Sequence, residues 1–338
     1  MAAKEIQEVF DMFKKLKTLV IGDVMVDSYL WGKVERISPE APVPIVSVNR
    51  RENRLGGAAN VALNLQALGA TPILCSVIGE DSKAETFIEL LQQQNLSDKG
   101  IIKSADRITT TKFRVIGNHS QMLRVDEEIE HDLNSAETET FVQRIGQLLE
   151  NENIDVIIFE DYDKGVITPD LITKVTQIAR KKSIPVTVDP KKKNFKHYRD
   201  VNLFKPNLKE LKDGLKLDFS PENLKDFENA VDAIHQKNNI DNIMVTLSES
   251  GVYISEKEKN TQNIISRQII PAHVRNISDV SGAGDTVISV ASLCIALKLD
   301  LFTVATLSNL AGGLVCEEVG VVPVNKEKLL KEALTLLK

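Results

Sequence analysis

The sequence predicts an α/β fold: a doubly wound, mostly parallel sheet flanked by helices, with a small β-sheet lid. Short runs rich in Val and Ile alternate with amphipathic stretches along the whole chain. Those stretches carry a helical period, and helical crossovers join parallel strands covered on both faces. Two segments, 28–55 and 109–126, break the rhythm and alternate instead with period two. No internal repeat or low-complexity tract is visible, which argues against a solenoid.

Met1–Lys17 interleaves charges with Phe10, Met12, Phe13 and Leu16. It reads as an amphipathic helix, lacking the unbroken apolar core of a signal peptide. Thr18–Ile21 is the first strand. Ser28–Leu55 contains Pro39, Pro42 and Pro44 and the alternating Val43, Ile45, Val46 and Val48, so it reads as added strands. Helix Ala58–Leu68, strand Ile73–Ile78 and helix Lys83–Gln94 come next. Thr109–Asp126 again alternates, with Thr111, Phe113 and Val115 on one face and Lys112 and Arg114 on the other. Helices Ala136–Glu150, Pro169–Lys182 and Pro221–Gln236 then separate strands Val156–Phe159, Pro185–Val188, Asn202–Phe204 and Ile243–Leu247. The apolar run Val287–Leu297 is a further helix, too short to span a bilayer. The two β regions are expected either to cover the carboxyl ends of the main strands as a lid or to be hairpins without that role.

A chain of 338 residues suits one large domain with a small appendage, so 1–338 is expected to be a single domain with lid segments at 28–55 and 109–126. Apolar residues make up 42% and charged residues 27%, and the net charge is −6. Basic residues form no concentrated surface, which argues against nucleic-acid binding. Cys75, Cys294 and Cys316 are too few and too scattered for a disulfide framework or a zinc site. A cytoplasmic protein with no membrane partner is the expectation.

In an open α/β sheet, ligands bind beyond the carboxyl ends of the strands. Asp23, Asp161, Asp189 and Asn207 all follow predicted strands. The most informative segment is Asp279-Val280-Ser281-Gly282-Ala283-Gly284-Asp285-Thr286, leading into the apolar helix. Small residues at Gly282, Ala283 and Gly284 leave the first helical N–H groups uncovered, and the helix dipole adds roughly half a positive charge there. Such a corner receives a phosphoryl group. Asp285, at its rim, is placed to take a proton from an attacking hydroxyl. Asp commonly caps helices, but the Gly-Ala-Gly before it favours the base. A second cluster, Gly56-Gly57-Ala58-Ala59-Asn60, opens another helix; it is either a tight turn or a site where Asn60 bonds hydroxyls. P-loop, dinucleotide-fold, Gly-x-Ser-x-Gly and His-Glu-x-x-His signatures are missing.

Together these segments resemble the ribokinase-like (PfkB-type) carbohydrate kinase family, over nearly the whole chain. Gly56–Asn60 is similar to its amino-terminal signature and Asp279–Asp285 to its carboxy-terminal one, with Ser281 where Thr is usual. Asn207-Leu208-Lys209-Glu210 is similar to its Asn-x-x-Glu motif. Gly22–Asp27, Arg36–Pro44, Asp161-Tyr162-Asp163-Lys164-Gly165 and Asp189-Pro190-Lys191 resemble the branch acting on D-glycero-D-manno-heptose 7-phosphate at C1, in lipopolysaccharide-heptose synthesis. In many bacteria that kinase is fused to a nucleotidyltransferase; with a chain ending at Lys338, only the phosphorylation is expected.

The resemblance implies ATP as co-substrate with Mg²⁺, and a possible monovalent cation near Asp279 and Gly320. It implies Asp23, Asp27, Gly56, Gly57 and Asn60 as sugar contacts, and Arg114, Arg124, Lys164 and Lys191 as candidates for the substrate's own phosphate. Asn207 and Glu210 would serve the nucleotide, Glu210 through metal-bound water. Thr246, Ser248, Glu249, Gly251 and Asn309 would be further nucleotide contacts. Exposed lid edges suggest a homodimer through the lid. A kinase for another sugar, sugar phosphate or nucleoside, and an inert sugar- or nucleotide-binding regulator, are the alternatives.

Overall fold

The computed structural model describes residues 3–118, 120–217, 224–258, 261 and 263–337. An opening helix α1 (Ala3–Phe13) packs Ile6, Phe10 and Phe13 into the core. Met1 and Ala2 of the expected amino-terminal helix lie outside the described residues. Strand β1 (Lys17–Gly22) then enters the centre of the main sheet. Only Asp23 separates it from β2 (Val24–Ile37), which leaves the core and pairs antiparallel with β3 (Pro44–Gly57). The excursion begins earlier and ends later than the expected 28–55, because Val24–Asp27 and Leu55–Gly57 are already paired to each other.

The chain returns through α2 (Ala58–Ala67), β4 (Thr71–Gly79), α3 (Ser82–Gln93) and β5 (Ser97–Ser104). The last carries Asp98, Lys99 and Lys103 on an edge, so no apolar run announced it in the sequence. A second excursion, β6 (Thr111–Gly117) and β7 (Ser120–Glu127), completes a separate sheet of order β3-β2-β6-β7. There follow α4 (Ser135–Asn151), β8 (Val156–Glu160), α5 (Pro169–Lys181), β9 (Val186–Asp189), β10 (Leu203–Phe204), α6 (Leu208–Leu215) and α7 (Leu224–Asn238). Pro221, where the sequence starts α7, lies outside the described residues. Strand β11 (Asn242–Thr246), β12 (Val252–Lys257) and β13 (Ile264–Ile270) close the sheet, and α8 (Ala283–Ala296), α9 (Leu301–Val315) and α10 (Lys326–Leu336) end the fold.

The main sheet has the order β13-β12-β11-β10-β9-β8-β1-β4-β5, parallel from β11 to β5 and antiparallel at β12 and β13. Its inner strands are apolar on both sides because helices cover both faces. Along β8, Val156 and Ile158 face the layer of α1, α2, α8 and α9, while Ile157 and Phe159 face that of α4, α5 and α7. Parallel strands share a direction, so Asp23, Asp161, Asp189 and Asn207 emerge at one edge. Among the described residues no helix is long and apolar enough to cross a membrane.

Phe141, fully buried beneath the sheet on α4, tests this packing. Phe141→Ala should cost about 3–5 kcal/mol, read as a lower denaturant midpoint with an unchanged slope.

Candidate active site

The amino terminus of α8 has no side-chain cap, and Gly282 occupies the left-handed region at φ 81°. A Cβ there would both strain the backbone and press on Val321. Beside Gly284 the nearest atoms are Asp189 Oδ2, 3.7 Å from where a Cβ would sit, and Lys205 Nζ at 3.9 Å. Gly282, Ala283 and Gly284 remain partly exposed, so the corner opens onto a polar cleft rather than a packed core.

Asp285, one position on, is buried. Tyr162 donates its hydroxyl to Oδ1 at 2.9 Å, and Asn60 donates Nδ2 to Oδ2 at 3.1 Å. Burial pushes the carboxyl up to about 6; nearby Asp189 adds to this, while the two donors and Lys205 oppose it. Asn60 reaches Asp285 because Gly56 and Gly57 let β3 turn tightly into α2. A Cβ on Gly57 (φ +63°) would lie 2.4 Å from the Asp23 carbonyl, and one on Gly56 2.6 Å from Asp27 Oδ2. The two glycine segments, far apart in sequence, meet at one carboxylate.

Asp23 is committed elsewhere. Its Oδ2 accepts from the backbone N–H of Tyr162 (2.8 Å) and Lys164 (3.2 Å), and its Oδ1 from that of Val166 (3.0 Å). It straps the loop after β8 to the end of β1, so its carboxylate, expected from sequence to meet sugar hydroxyls, already accepts three backbone donors. Asp27 is buried and paired with Arg114, yet burial still raises its pKa. Both Asp27 and Asn60 line a cavity of about 390 Å³ between the lid, α2, α3 and the Val321–Pro323 segment.

The cations expected to meet a substrate phosphate all have carboxylate partners. Lys164 bonds Glu128 and Glu130, both at 2.7 Å, and Arg124, cross-strand from Arg114, pairs with Asp126 at 2.9 Å. Lys191 is held by Glu210 and stands 5.6 Å from the Tyr162 ring centroid. On the other side of the cleft, Asn207 and Glu210 form a reciprocal capping box on α6. Thr246 ends β11 beside Asn207, and Ser248, Glu249 and Gly251 shape the turn into β12. Asn309 donates to the Pro271 carbonyl at 2.9 Å, and Gly251 abuts the same segment. Asp279 accepts from the Ser281 and Gly320 N–H groups, which hold its carboxyl below the usual range.

Three residues had no role from sequence: Tyr162, quoted only as part of the Asp161–Gly165 motif, and Glu160 and Lys205, which escaped it altogether. Lys205 is buried and bonds Asp189 Oδ2 at 2.7 Å. Each ends a strand or lies just beyond one, the same signal that singled out the aspartates. Glu160 Oε2 and Asp189 Oδ1 are buried without a hydrogen-bond partner, and burial beside Asp189 raises Glu160 well above the usual carboxyl range. No ready-made group of three ligating side chains exists among the described residues. Hard carboxylate oxygens facing an anion corner nevertheless fit Mg²⁺, which takes one or two carboxylates with water and phosphate oxygens.

A family model described as the pfkB family carbohydrate kinase matches residues 15–328. The chain is 36% identical to the bifunctional protein HldE of Pelobacter propionicus, over 95% of this chain and 64% of that one. It is 35% identical to HldE of Geotalea uraniireducens, over 98% and 66%. The chain thus spans slightly less than two thirds of those relatives' length. In three dimensions it is similar to Escherichia coli phosphofructokinase-2 in complex with potassium (TM-score 0.75, 19% identity, 96% of this chain and 99% of that one). It is also similar to Arabidopsis thaliana ribokinase complexed with ribose and ATP (TM-score 0.68, 17% identity, 94% and 99%). These likenesses establish a ribokinase-like fold.

A carboxyl raised to about 6 from 3.8 favours folding below pH 3.8, and that contribution is lost as pH rises through 6. Asp285→Asn should therefore be the more stable protein at pH 8, by up to about 3 kcal/mol. Its advantage in thermal midpoint should vanish near pH 4.

Proposed function

The chain belongs to the pfkB family of carbohydrate kinases, and from that premise we propose that it transfers the γ-phosphoryl of ATP to the C1 hydroxyl of D-glycero-D-manno-heptose 7-phosphate in the cytoplasm, giving the 1,7-bisphosphate. The observation that carries the reading is the Asn60–Asp285 hydrogen bond, which joins a sugar-binding motif to an uncapped helix terminus. The heptose-branch motifs at Gly22–Asp27, Arg36–Pro44, Asp161–Gly165 and Asp189–Lys191 support the substrate, as do the matches to HldE proteins.

Asp285 takes the proton of the acceptor hydroxyl, and a carboxyl near 6 suits that task at neutral pH. Asp27 and Asn60 orient the sugar. The amides at Gly282–Gly284 and the α8 dipole receive charge spreading over the transferred group, with Lys205 beside them. Glu210, Asp189 and Glu160 would hold Mg²⁺ with ATP, where it would supply positive charge to the phosphates, and Asp279 with the Gly320 loop would hold a monovalent cation. Asn207, Thr246, Ser248, Glu249, Gly251 and Asn309 form the nucleotide side. Residues 1–338 act as one domain, with the β2-β3-β6-β7 sheet closing over the sugar to exclude water. Its outer residues Ile37, Val43, Leu123 and Val125 are exposed, and they would be covered in a homodimer formed lid to lid.

One observation favours a second reading. Arg114, Arg124, Lys164 and Lys191 are each neutralised by a carboxylate, which suits a kinase for an unphosphorylated sugar.

Incubation with ATP, Mg²⁺ and heptose 7-phosphate should yield the 1,7-bisphosphate, detected by mass and by phosphorus NMR. Efficient turnover of an unphosphorylated sugar instead would select the second reading. Asp285→Ala should lower kcat by roughly 10²–10⁴-fold with ATP affinity unchanged; wild-type turnover in that variant would remove Asp285 as the base. Light scattering should give twice the chain mass at micromolar concentration, and Leu123→Glu should shift it toward the monomer.

A further inference from the structure

Burying a carboxylate costs free energy unless donors compensate it, and Asp285 is gripped at both oxygens by neutral donors from two elements. Asn60 comes from the first turn of α2, and Tyr162 from the loop after β8. Neither donor brings a charge, so the carboxylate keeps its own.

We propose that Tyr162 is a positioning residue for the general base, its hydroxyl fixing the orientation of the Asp285 carboxylate and favouring its ionised form. The proposal rests on the reading above that Asp285 is the base.

The phenol is placed by a loop with unusually many restraints. Its own N–H and those of Lys164 and Val166 all end on the Asp23 carboxylate. Buried Arg107 donates to the carbonyls of Lys164 and His131. Asp161, the preceding residue, accepts from Tyr198 at 2.7 Å and Asn194 at 3.1 Å. The hydroxyl position is therefore set by β1 and β8, not by the lid. On its far side the ring faces the Lys191 ammonium, itself bound to Glu210. The phenol hydroxyl donates to Oδ1 of Asp285 at 2.9 Å. A hydroxyl both donates and accepts, so the contact survives when Asp285 takes up a proton.

The other groups facing Asp285 pull in both directions. Glu160 at the end of β8 and Asp189 at the end of β9 disfavour its charge, and Lys205 after β10 favours it. With these left in place, removing one neutral donor should tip the balance toward the protonated acid.

The test is Tyr162→Phe, which keeps the ring and deletes only the hydroxyl, measured with wild type, Asp285→Asn and the double variant. Thermal midpoints are taken from pH 4 to 9. Subtracting those of the matching protein that carries Asp285→Asn isolates the titration of Asp285 without any substrate. That inflection should move up by about 1–2 units in Tyr162→Phe, and the acid limb of kcat/KM should move with it. Turnover at pH 6 should then fall about tenfold more than at pH 8.5. An inflection and acid limb coinciding with wild type, while Asp285→Asn is inactive, would overturn the role of Tyr162 alone. If Asp285→Asn turns over like wild type, the base assignment falls and this proposal falls with it.

Discussion

A carboxylate that water barely reaches must be held ionised by the protein around it, and Asp285 sets that condition for the whole strand-end cleft. Its desolvation is opposed by two hydrogen-bond donors and by the Lys205 ammonium, which also compensates Asp189. Each of those groups sits on a different element, so the carboxylate is only as well placed as the packing of α2, β8, β10 and α8 against one another. Thr286 and Ser289 of α8 accordingly bond Asn64 and the Val61 carbonyl of α2, and Val324, in the segment before α10, donates to Asn64 as well. A glycine corner alone would bind an anion. Here that corner lies directly beside a buried carboxyl of raised pKa.

The lid is rooted in the same place. With one residue between β1 and β2, the main sheet passes directly into the lid, and that residue is Asp23. Its carboxylate fixes the loop carrying Tyr162, while its carbonyl accepts from the N–H of Ala58 at the start of α2. A single aspartate thus ties the root of the second sheet, the loop beyond β8 and α2 together. Backbone N–H groups at such a junction cannot be left unpaired in the interior, which explains a buried carboxylate at that position.

Charge in the lid is balanced locally. Lys112, Arg114 and Lys164 face Asp126, Asp27 and Glu128, so the inner surface carries many ions and little net field. An anionic ligand would enter by exchanging partners with these carboxylates, a more selective arrangement than a bare basic patch because each exchange must repay a desolvated acid.

The amino-acid order by itself determined the layered α/β architecture, the two departures into a separate small sheet and the glycine corner before Asp285. These are local signals, since residue spacing fixes which face of a strand or helix is apolar and small residues fix where a backbone can be approached. Asp161, Asp189 and Asn207 were legible as strand-end polar residues for the same reason. Tertiary structure alone decided how they are used. It made Asp23 a strap for the loop after β8, paired Arg114, Arg124, Lys164 and Lys191 with acids, and brought Tyr162, Glu160 and Lys205 into the cleft. Those assignments depend on which strands become neighbours, and an order such as β10-β9-β8-β1 joins residues far apart in the chain. Nothing in the local sequence around Tyr162 records that its hydroxyl will meet a carboxylate more than a hundred positions away.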